Sequence, residues 1–273
     1  MAATFFLNGE FLPEEQAKLN ITDLGLLRAY GIFDFFRCID GKPIFQEDHL
    51  DRFNRSAELM GLNIPASREQ LREIIAELIR LNPHALLGLK LVLTGGYSPD
   101  GFAPAEQSNF FVIAKPFEFK DPEKGLHFMS VEHQRQLAEV KSLDYLLPIY
   151  LLRKQREMGA DDVLYYENGL ITESSRSNVF VVKGDTLITP AEGMLRGITR
   201  KHILNFAQRE LKVEEREVTL EETLQADELF TTGSTKRIVP VTKIDNRPIG
   251  SGQPGPITRQ LYERFLTYEK ETN

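Results

Sequence analysis

The residues able to do chemistry gather at four places in the chain. Lys141, in Val140-Lys141-Ser142-Leu143, stands before an apolar helix-forming run, and Glu173 follows 32 residues later at the end of a hairpin strand. A desolvated lysine whose amine is deprotonated is the nucleophile needed for a Schiff base with a carbonyl cofactor. A buried carboxylate facing a pyridine nitrogen would keep such a ring protonated, and so able to take up an electron pair. Gly193-Met194-Leu195-Arg196-Gly197-Ile198-Thr199 ends a loop and opens a helix. The amides of Ile198 and Thr199, the Thr199 hydroxyl and the helix dipole can converge there on a phosphate. Thr232-Gly233-Ser234-Thr235, just after a strand, offers a second cluster of amides and hydroxyls suited to an anion. Taken singly, each has a plainer reading: a solvated lysine, a helix-capping glycine, a polar turn.

Signatures of other chemistries are absent. The chain has no Gly-rich dinucleotide fingerprint, Walker loop, Gly-x-Ser-x-Gly elbow or His-Glu-x-x-His. Its five histidines, His49, His84, His127, His133 and His202, are scattered, and the expectation is surface or capping roles with no metal site. A single cysteine, Cys38, excludes an internal disulfide and a thiolate metal cage. With 33 basic and 40 acidic residues the formal charge is −7, which opposes a phosphate backbone, so no nucleic-acid partner is expected. No stretch approaches the roughly 18 apolar residues of a membrane span, and the N-terminus lacks the pattern of a signal peptide. The expectation is therefore a cytoplasmic protein without a membrane partner.

The elements that must position these residues are legible in outline. At 273 residues and 41% hydrophobic composition the chain is long enough for one large or two modest domains. Asn8-Gly9 and Asp40-Gly41, each between apolar runs, are hairpin signals. Apolar periodicity predicts helices over Glu47 to Met60 and over Arg68 to Leu81, the latter capped by Ser67. Leu89 to Thr94 and Phe110 to Ala114 read as buried strands joined by a turn-rich loop carrying Tyr97 and Phe102. Pro116 and Pro122, with a cluster of charges between Lys115 and Lys124, mark 117–125 as a linker, dividing the chain into domains 1–116 and 126–273. In the second domain, helices are expected at Tyr145 to Met158, Thr199 to Leu211 and Thr258 to Tyr268, among strands joined by Asn168-Gly169 and Gly184-Asp185 turns. Strands and helices mixed with many hairpins indicate an α+β fold.

Five segments taken together go further. Lys141-Ser142-Leu143-Asp144-Tyr145-Leu146, Gly159-Ala160-Asp161-Asp162-Val163, Thr172-Glu173-Ser174-Ser175-Arg176-Ser177-Asn178-Val179-Phe180, Gly197-Ile198-Thr199-Arg200, and Ala226-Asp227-Glu228-Leu229-Phe230 with Thr232-Gly233-Ser234 keep a common order and spacing. The set resembles the class IV pyridoxal-phosphate aminotransferases, which include the branched-chain and D-amino acid aminotransferases and aminodeoxychorismate lyase. The resemblance implies a two-domain fold type IV enzyme: a small N-terminal α/β domain, a larger pseudo-barrel domain, and pyridoxal 5′-phosphate in the cleft. It also implies a homodimer whose active sites are completed by the region around Arg28 and the loop Gly95 to Ala103 of the other subunit. Carried over residue by residue, it makes Lys141 the catalytic lysine, which forms the Schiff base and moves the proton between Cα and the cofactor's C4′. Glu173 would pair with the pyridinium nitrogen, Leu195 pack on the ring, and Tyr145 hydrogen-bond the phenolic oxygen. Arg52, Ile198, Thr199 and Ser234 would hold the phosphate.

The substrate residues depart from the family's patterns. Branched-chain enzymes carry a tyrosine where this chain has Arg28, and Phe-Glu-Gly-x-Arg where it has Phe33-Asp34-Phe35-Phe36-Arg37. The Arg-x-His pair of D-amino acid enzymes is replaced by Asp100 and Phe102. Arg176 stands where a glycine or serine is usual. An arginine's planar fork suits a carboxylate, so Arg28 and Arg176 are expected to bind substrate carboxylates, with Phe33 and Thr235 beside them and Lys90 and Lys236 as second candidates. The expected reaction moves an amino group between an amino acid, D-amino acids being narrowly favoured, and a 2-oxo acid such as 2-oxoglutarate or pyruvate. Branched-chain L-amino acids are the alternative, and a lyase reaction like that of aminodeoxychorismate lyase is the third reading.

Overall fold

A computed structural model describes residues 3–119, 121 and 123–272. Of the expected linker 117–125, Lys120 and Pro122 lie outside the described residues. The chain divides into two compact units, 3–118 with Val140–Asp144, and Phe119–Glu139 with Tyr145–Thr272.

The first unit is a six-stranded antiparallel sheet with two helices on one face. Its elements are β1 (Thr4–Leu7), β2 (Glu10–Pro13), α1 (Leu24–Arg28), β3 (Gly31–Ile39), β4 (Lys42–Pro43), α2 (Gln46–Leu59), α3 (Arg68–Leu81), β5 (Leu86–Thr94) and β6 (Asn109–Pro116). Spatial order is β2-β1-β6-β5-β3-β4. The Asn8-Gly9 and Asp40-Gly41 turns both take positive φ at their two central residues, as two-residue hairpins require. Side chains alternate across β3 and β5. Ile32, Phe36, Cys38, Leu89, Leu91 and Leu93 enter a core with Leu50 and Phe53 of α2 and Leu71, Ile75 and Leu78 of α3. Each such fully buried side chain contributes about 1.5–3 kcal/mol. Phe33, Phe35 and Lys90 therefore belong to the opposite face. Helix α3 opens with the expected cap: Ser67 Oγ accepts from the Gln70 amide and Gln70 Oε1 from the Ser67 amide.

The second unit contains β7 (Leu126–Glu132), α4 (Leu146–Tyr150), α5 (Leu152–Met158), β8 (Asp162–Glu167), β9 (Leu170–Ser174), β10 (Asn178–Lys183), β11 (Thr186–Thr189), α6 (Ile198–Ala207), β12 (Lys212–Glu215), α7 (Leu220–Leu224), β13 (Glu228–Gly233), β14 (Arg237–Ile244), β15 (Arg247–Pro248) and α8 (Pro256–Thr272). Its main sheet runs β12-β11-β10-β13-β14-β7-β8-β9, with β15 paired to β14. Strands β9 and β10 are far apart along that path, yet only residues 175–177 join them and the Ser174 amide bonds the Ser177 carbonyl at 2.8 Å. The sheet must curl to bring them together, which makes the half-barrel. Phe128, Leu164, Val179, Val181, Leu229, Val239 and Val241 fill its core, and α6 and α8 pack against β13.

The expected helix over Tyr145 to Met158 is two short helices, α4 and α5, meeting at Leu151. No helix among the described residues is long and apolar enough to cross a membrane.

Candidate active site

Lys141 belongs to the first unit because its backbone is tied to β3. The Phe33 amide donates to the Lys141 carbonyl at 2.9 Å, the Leu143 amide to the Gly31 carbonyl at 2.9 Å, and the Lys141 amide to Ser56 Oγ at 3.3 Å. This backbone attachment holds the side chain over the helix-free face of the sheet, with Nζ 4.6 Å from the Phe33 ring centroid. Lys90 Nζ stands at the same 4.6 Å from that ring. Two lysine amino groups thus share one aromatic platform. Burial pushes the Lys90 ammonium below its ordinary proton affinity, and among the described residues no carboxylate pairs with it.

On the helix-facing side of the same strand, Asp34 is almost fully buried and accepts four hydrogen bonds. They come from the Phe35 amide at 2.7 Å, His49 Nδ1 at 2.7 Å, and Arg52 Nε and Nη2 at 2.8 Å each. Burial alone would raise the Asp34 carboxyl, but the charge of Arg52 and the bonds from His49 and Arg52 outweigh it and hold the group well below the usual carboxylate range. Burial brings His49 down to about 4, so near neutral pH it is a neutral imidazole donating to Asp34 rather than an ion-pair partner. This corrects the expectation for the histidines: His49 and His202 are both buried, at 1% and 6% exposure. The apolar positions of α2 turn that face inward and carry His49, one residue before Leu50, with them.

In the second unit Glu173, 5% exposed, is the last residue but one of β9. Its Oε1 accepts from Arg135 Nε at 2.9 Å and its Oε2 from the Leu195 amide at 3.2 Å. Arg135, in the loop after β7, escapes sequence reasoning, since nothing local to Gln134-Arg135-Gln136 distinguishes it from a solvated arginine. Tyr165 is likewise unforeseen. Burial, reinforced by the charges of Asp162 and Glu173, pushes its phenol far up, and its hydroxyl has no hydrogen-bond partner among the described residues. Tyr145, at the start of α4, is close enough to contribute to that shift.

Ile198 and Thr199 open α6 and are buried. Gly197 provides no side-chain cap, so the amides of the first turn are available to an anion. Asn178 fixes the approach: its Nδ2 donates to the Leu195 carbonyl at 2.7 Å, and a Cβ at Gly197 would collide with its Oδ1. Ser234 lies half-buried in the turn from β13 to β14, with Thr235 exposed beside it. The neighbouring hydroxyls of Ser177 and Thr232 are buried without hydrogen-bond partners among the described residues. Together with the uncapped helix start, these donors fit a phosphate ester, and Glu173, paired with Arg135, fits a protonated ring nitrogen.

The expected substrate residues are less gathered. Arg28 ends α1, whose first turn is locked to the sheet through Asp23, an acceptor for the Gly25 amide, Thr94 Oγ1 and Asn109 Nδ2. Its guanidinium is exposed and donates only to the Leu27 carbonyl. Arg176, in the 175–177 turn, is also exposed. Neither has a carboxylate partner among the described residues. Lys236 is 3.7 Å from the buried carboxylate of Asp162. Asp100 closes its own loop, accepting from the Phe102 and Ala103 amides. Among the described residues no group of three His, Cys, Asp or Glu side chains is placed to hold a metal.

Comparison with known proteins identifies the family. Residues 31–244 match the family described as amino-transferase class IV. A Methanocaldococcus jannaschii protein provisionally named a branched-chain-amino-acid aminotransferase is 34% identical over 271 residues, spanning 95% of this chain and 94% of that one. The D-alanine aminotransferase of Bacillus licheniformis is 32% identical over 264 residues, 93% of each chain. Among solved structures, a branched-chain amino acid aminotransferase with pyridoxamine 5′-phosphate, its source given as T.th., superposes with a TM-score of 0.93 at 25% identity, covering 100% of this chain and 96% of that one. The chain belongs to the class IV aminotransferases, and it is a pyridoxal-phosphate-dependent enzyme of fold type IV.

Proposed function

We propose that the enzyme moves the amino group of a D-amino acid to a 2-oxo acid such as 2-oxoglutarate or pyruvate, in two half-reactions that return the cofactor to its starting form. The observation that carries the substrate choice is the pair of exposed guanidiniums, Arg28 and Arg176, neither of which has a carboxylate partner of its own among the described residues. An arginine without an internal counter-ion is free to take a carboxylate from solution bidentately.

When bound, pyridoxal 5′-phosphate supplies an electron sink for the pair left when a proton leaves the substrate's Cα. The chain's residues do the rest. Lys141 would hold the cofactor covalently at rest; once the substrate's amino group takes the place of the lysine nitrogen on the cofactor, the freed amine would carry the proton between Cα and C4′. Glu173, paired with Arg135 and the Leu195 amide, would accept the pyridine N–H. Leu195 packs on the ring and Tyr145 donates to the phenolic oxygen. The Ile198 and Thr199 amides, the Thr199 hydroxyl, Ser234 and Arg52 hold the phosphate. Phe33 and Thr235 border the substrate.

The protein works as a cytoplasmic homodimer in this reading, with Arg28 serving the partner's site. The exposed apolar side chains Ile21, Leu26 and Phe102 of the first unit, and Leu146, Ile149 and Tyr150 of the second, support a second copy covering them. Light scattering on the purified protein tests the dimer.

Branched-chain L-amino acids are the second reading, favoured by the aromatic character of Phe33 and Phe35 on the Lys141 face. The deciding experiment mixes the holoenzyme with single D- and L-amino acids and follows the visible absorbance of the lysine-bound cofactor. Bleaching by D-alanine or D-glutamate with none by L-leucine supports the proposal, and bleaching by L-leucine or L-isoleucine alone overturns it. Pyruvate release without an amino acceptor would identify a lyase instead.

A further inference from the structure

The cluster formed by Asp34, His49 and Arg52 has no counterpart in the chemistry derived above, which uses Arg52 alone. Asp34 lies on the helix-facing side of β3, among the apolar core, where an ionised carboxylate needs full compensation. It is compensated from two elements: its own strand gives the Phe35 amide, and α2 gives His49 and Arg52, one turn apart. The Arg52 bond is side-on, through Nε and Nη2, so the guanidinium plane is fixed and its outer edge turned away from Asp34. Nη1 on that edge has no hydrogen-bond partner among the described residues, and the side chain keeps 11% exposure against 1% for Asp34. A guanidinium with one edge pinned and the other open is prepared for a second anion.

We infer that Asp34, braced by His49, is a positioning residue that presents the open edge of Arg52 to the phosphate of the cofactor. The inference rests on the reading of Arg52 as a phosphate ligand. Without Asp34 the guanidinium would be free to rotate, and each encounter with a phosphate would carry the cost of ordering it.

The test is phosphate discrimination, the ratio of dissociation constants for pyridoxal and pyridoxal 5′-phosphate, measured by fluorescence titration of the full-length protein stripped of cofactor. A merely structural role for Asp34 would weaken both ligands alike and leave the ratio unchanged. Asp34→Asn should lower the ratio about tenfold, in the range of one charge-assisted hydrogen bond, and Arg52→Gln by at least as much. If Asp34→Asn fails to fold, His49→Gln tests the brace and should lower the ratio in the same direction. An unchanged ratio in Asp34→Asn or His49→Gln, beside a fall in Arg52→Gln, overturns the positioning role while the Arg52 reading stands. An unchanged ratio in Arg52→Gln overturns both.

Discussion

His49 should make the enzyme sensitive to mild acid, in a window set by its own burial. In the folded protein the imidazole faces the Asp34 carboxylate and feels the cations Arg52 and Arg37, and burial dominates, taking it from 6.5 to about 4. Once unfolded, the chain protonates His49 as the pH falls below 6.5, whereas the folded protein resists until about 4. The stability contributed by the neutral ring is therefore complete above pH 6.5 and is lost as the pH falls toward about 4. At about 1.4 kcal/mol per pH decade, the loss over the window is on the order of 3 kcal/mol. Asp34, held well below the usual range, stays ionised in the folded protein and adds slope only at the acid end of the window, where the unfolded chain's carboxyl begins to bind protons. Urea unfolding of the wild type and of His49→Gln, in steps from about pH 7 to about pH 4.5, isolates the effect. The variant starts less stable, having lost a buried hydrogen bond, and its stability then falls less steeply with acid. Parallel curves for the two proteins would refute the reasoning, since they would mean that His49 titrates alike folded and unfolded.

Other perturbations have equally definite outcomes. Lys141→Ala should abolish amino transfer and the visible absorbance of lysine-bound cofactor while leaving the far-ultraviolet circular dichroism unchanged. Glu173→Gln, which cannot hold a full negative charge at the ring nitrogen, should lower kcat by about a hundredfold or more in steady-state assays. Gly197→Ala forces a methyl group against Asn178 Oδ1 and should raise the cofactor dissociation constant about tenfold, seen in equilibrium titration. Arg28→Ala and Arg176→Ala should each raise KM for the amino donor by about 10- to 100-fold with little change in cofactor affinity; an unchanged KM in both would remove the carboxylate trap.

What can be read from the sequence follows from how local each feature is. Lys141, Glu173 and the Gly197 to Thr199 helix start are defined within a few residues by strand ends, turns and caps, and those are short-range signals. The Ser67 cap and the Asn8-Gly9 and Asp40-Gly41 turns are legible for the same reason. Arg135 is invisible because it meets Glu173 across 38 positions, and no spacing rule reports a pairing set by the order of strands β7, β8 and β9 in the sheet. His49 departs from its expected surface place for a related reason. On α2 it sits among Glu47, Asp48 and Asp51, a polar run, and the carboxylate of Asp34, placed by a different element, helps make burying it tolerable. The short helices α1 and α7, five residues each, are set by their caps at Asp23 and Thr219 and by tertiary packing rather than by a full apolar period.

The counter-ions of the cations separate two kinds of work. Arg52 and Arg135 are each bound to a buried carboxylate, Asp34 and Glu173, so their positions are fixed before any ligand arrives and their net charge is locally cancelled. Such a paired guanidinium suits a resident group, where orientation matters more than attraction. Arg28, Arg176 and the half-buried Lys90 have no carboxylate of their own among the described residues. For these, an incoming carboxylate gains the full interaction without displacing an internal partner, and on leaving it strands no buried charge pair. A substrate that must enter as an amino acid, leave as a 2-oxo acid and be replaced by another acid needs binding of the second kind. Pairing any of the three with an engineered neighbouring carboxylate should therefore weaken substrate binding while sparing the cofactor, a split between KM and cofactor affinity that the opposite assignment would reverse.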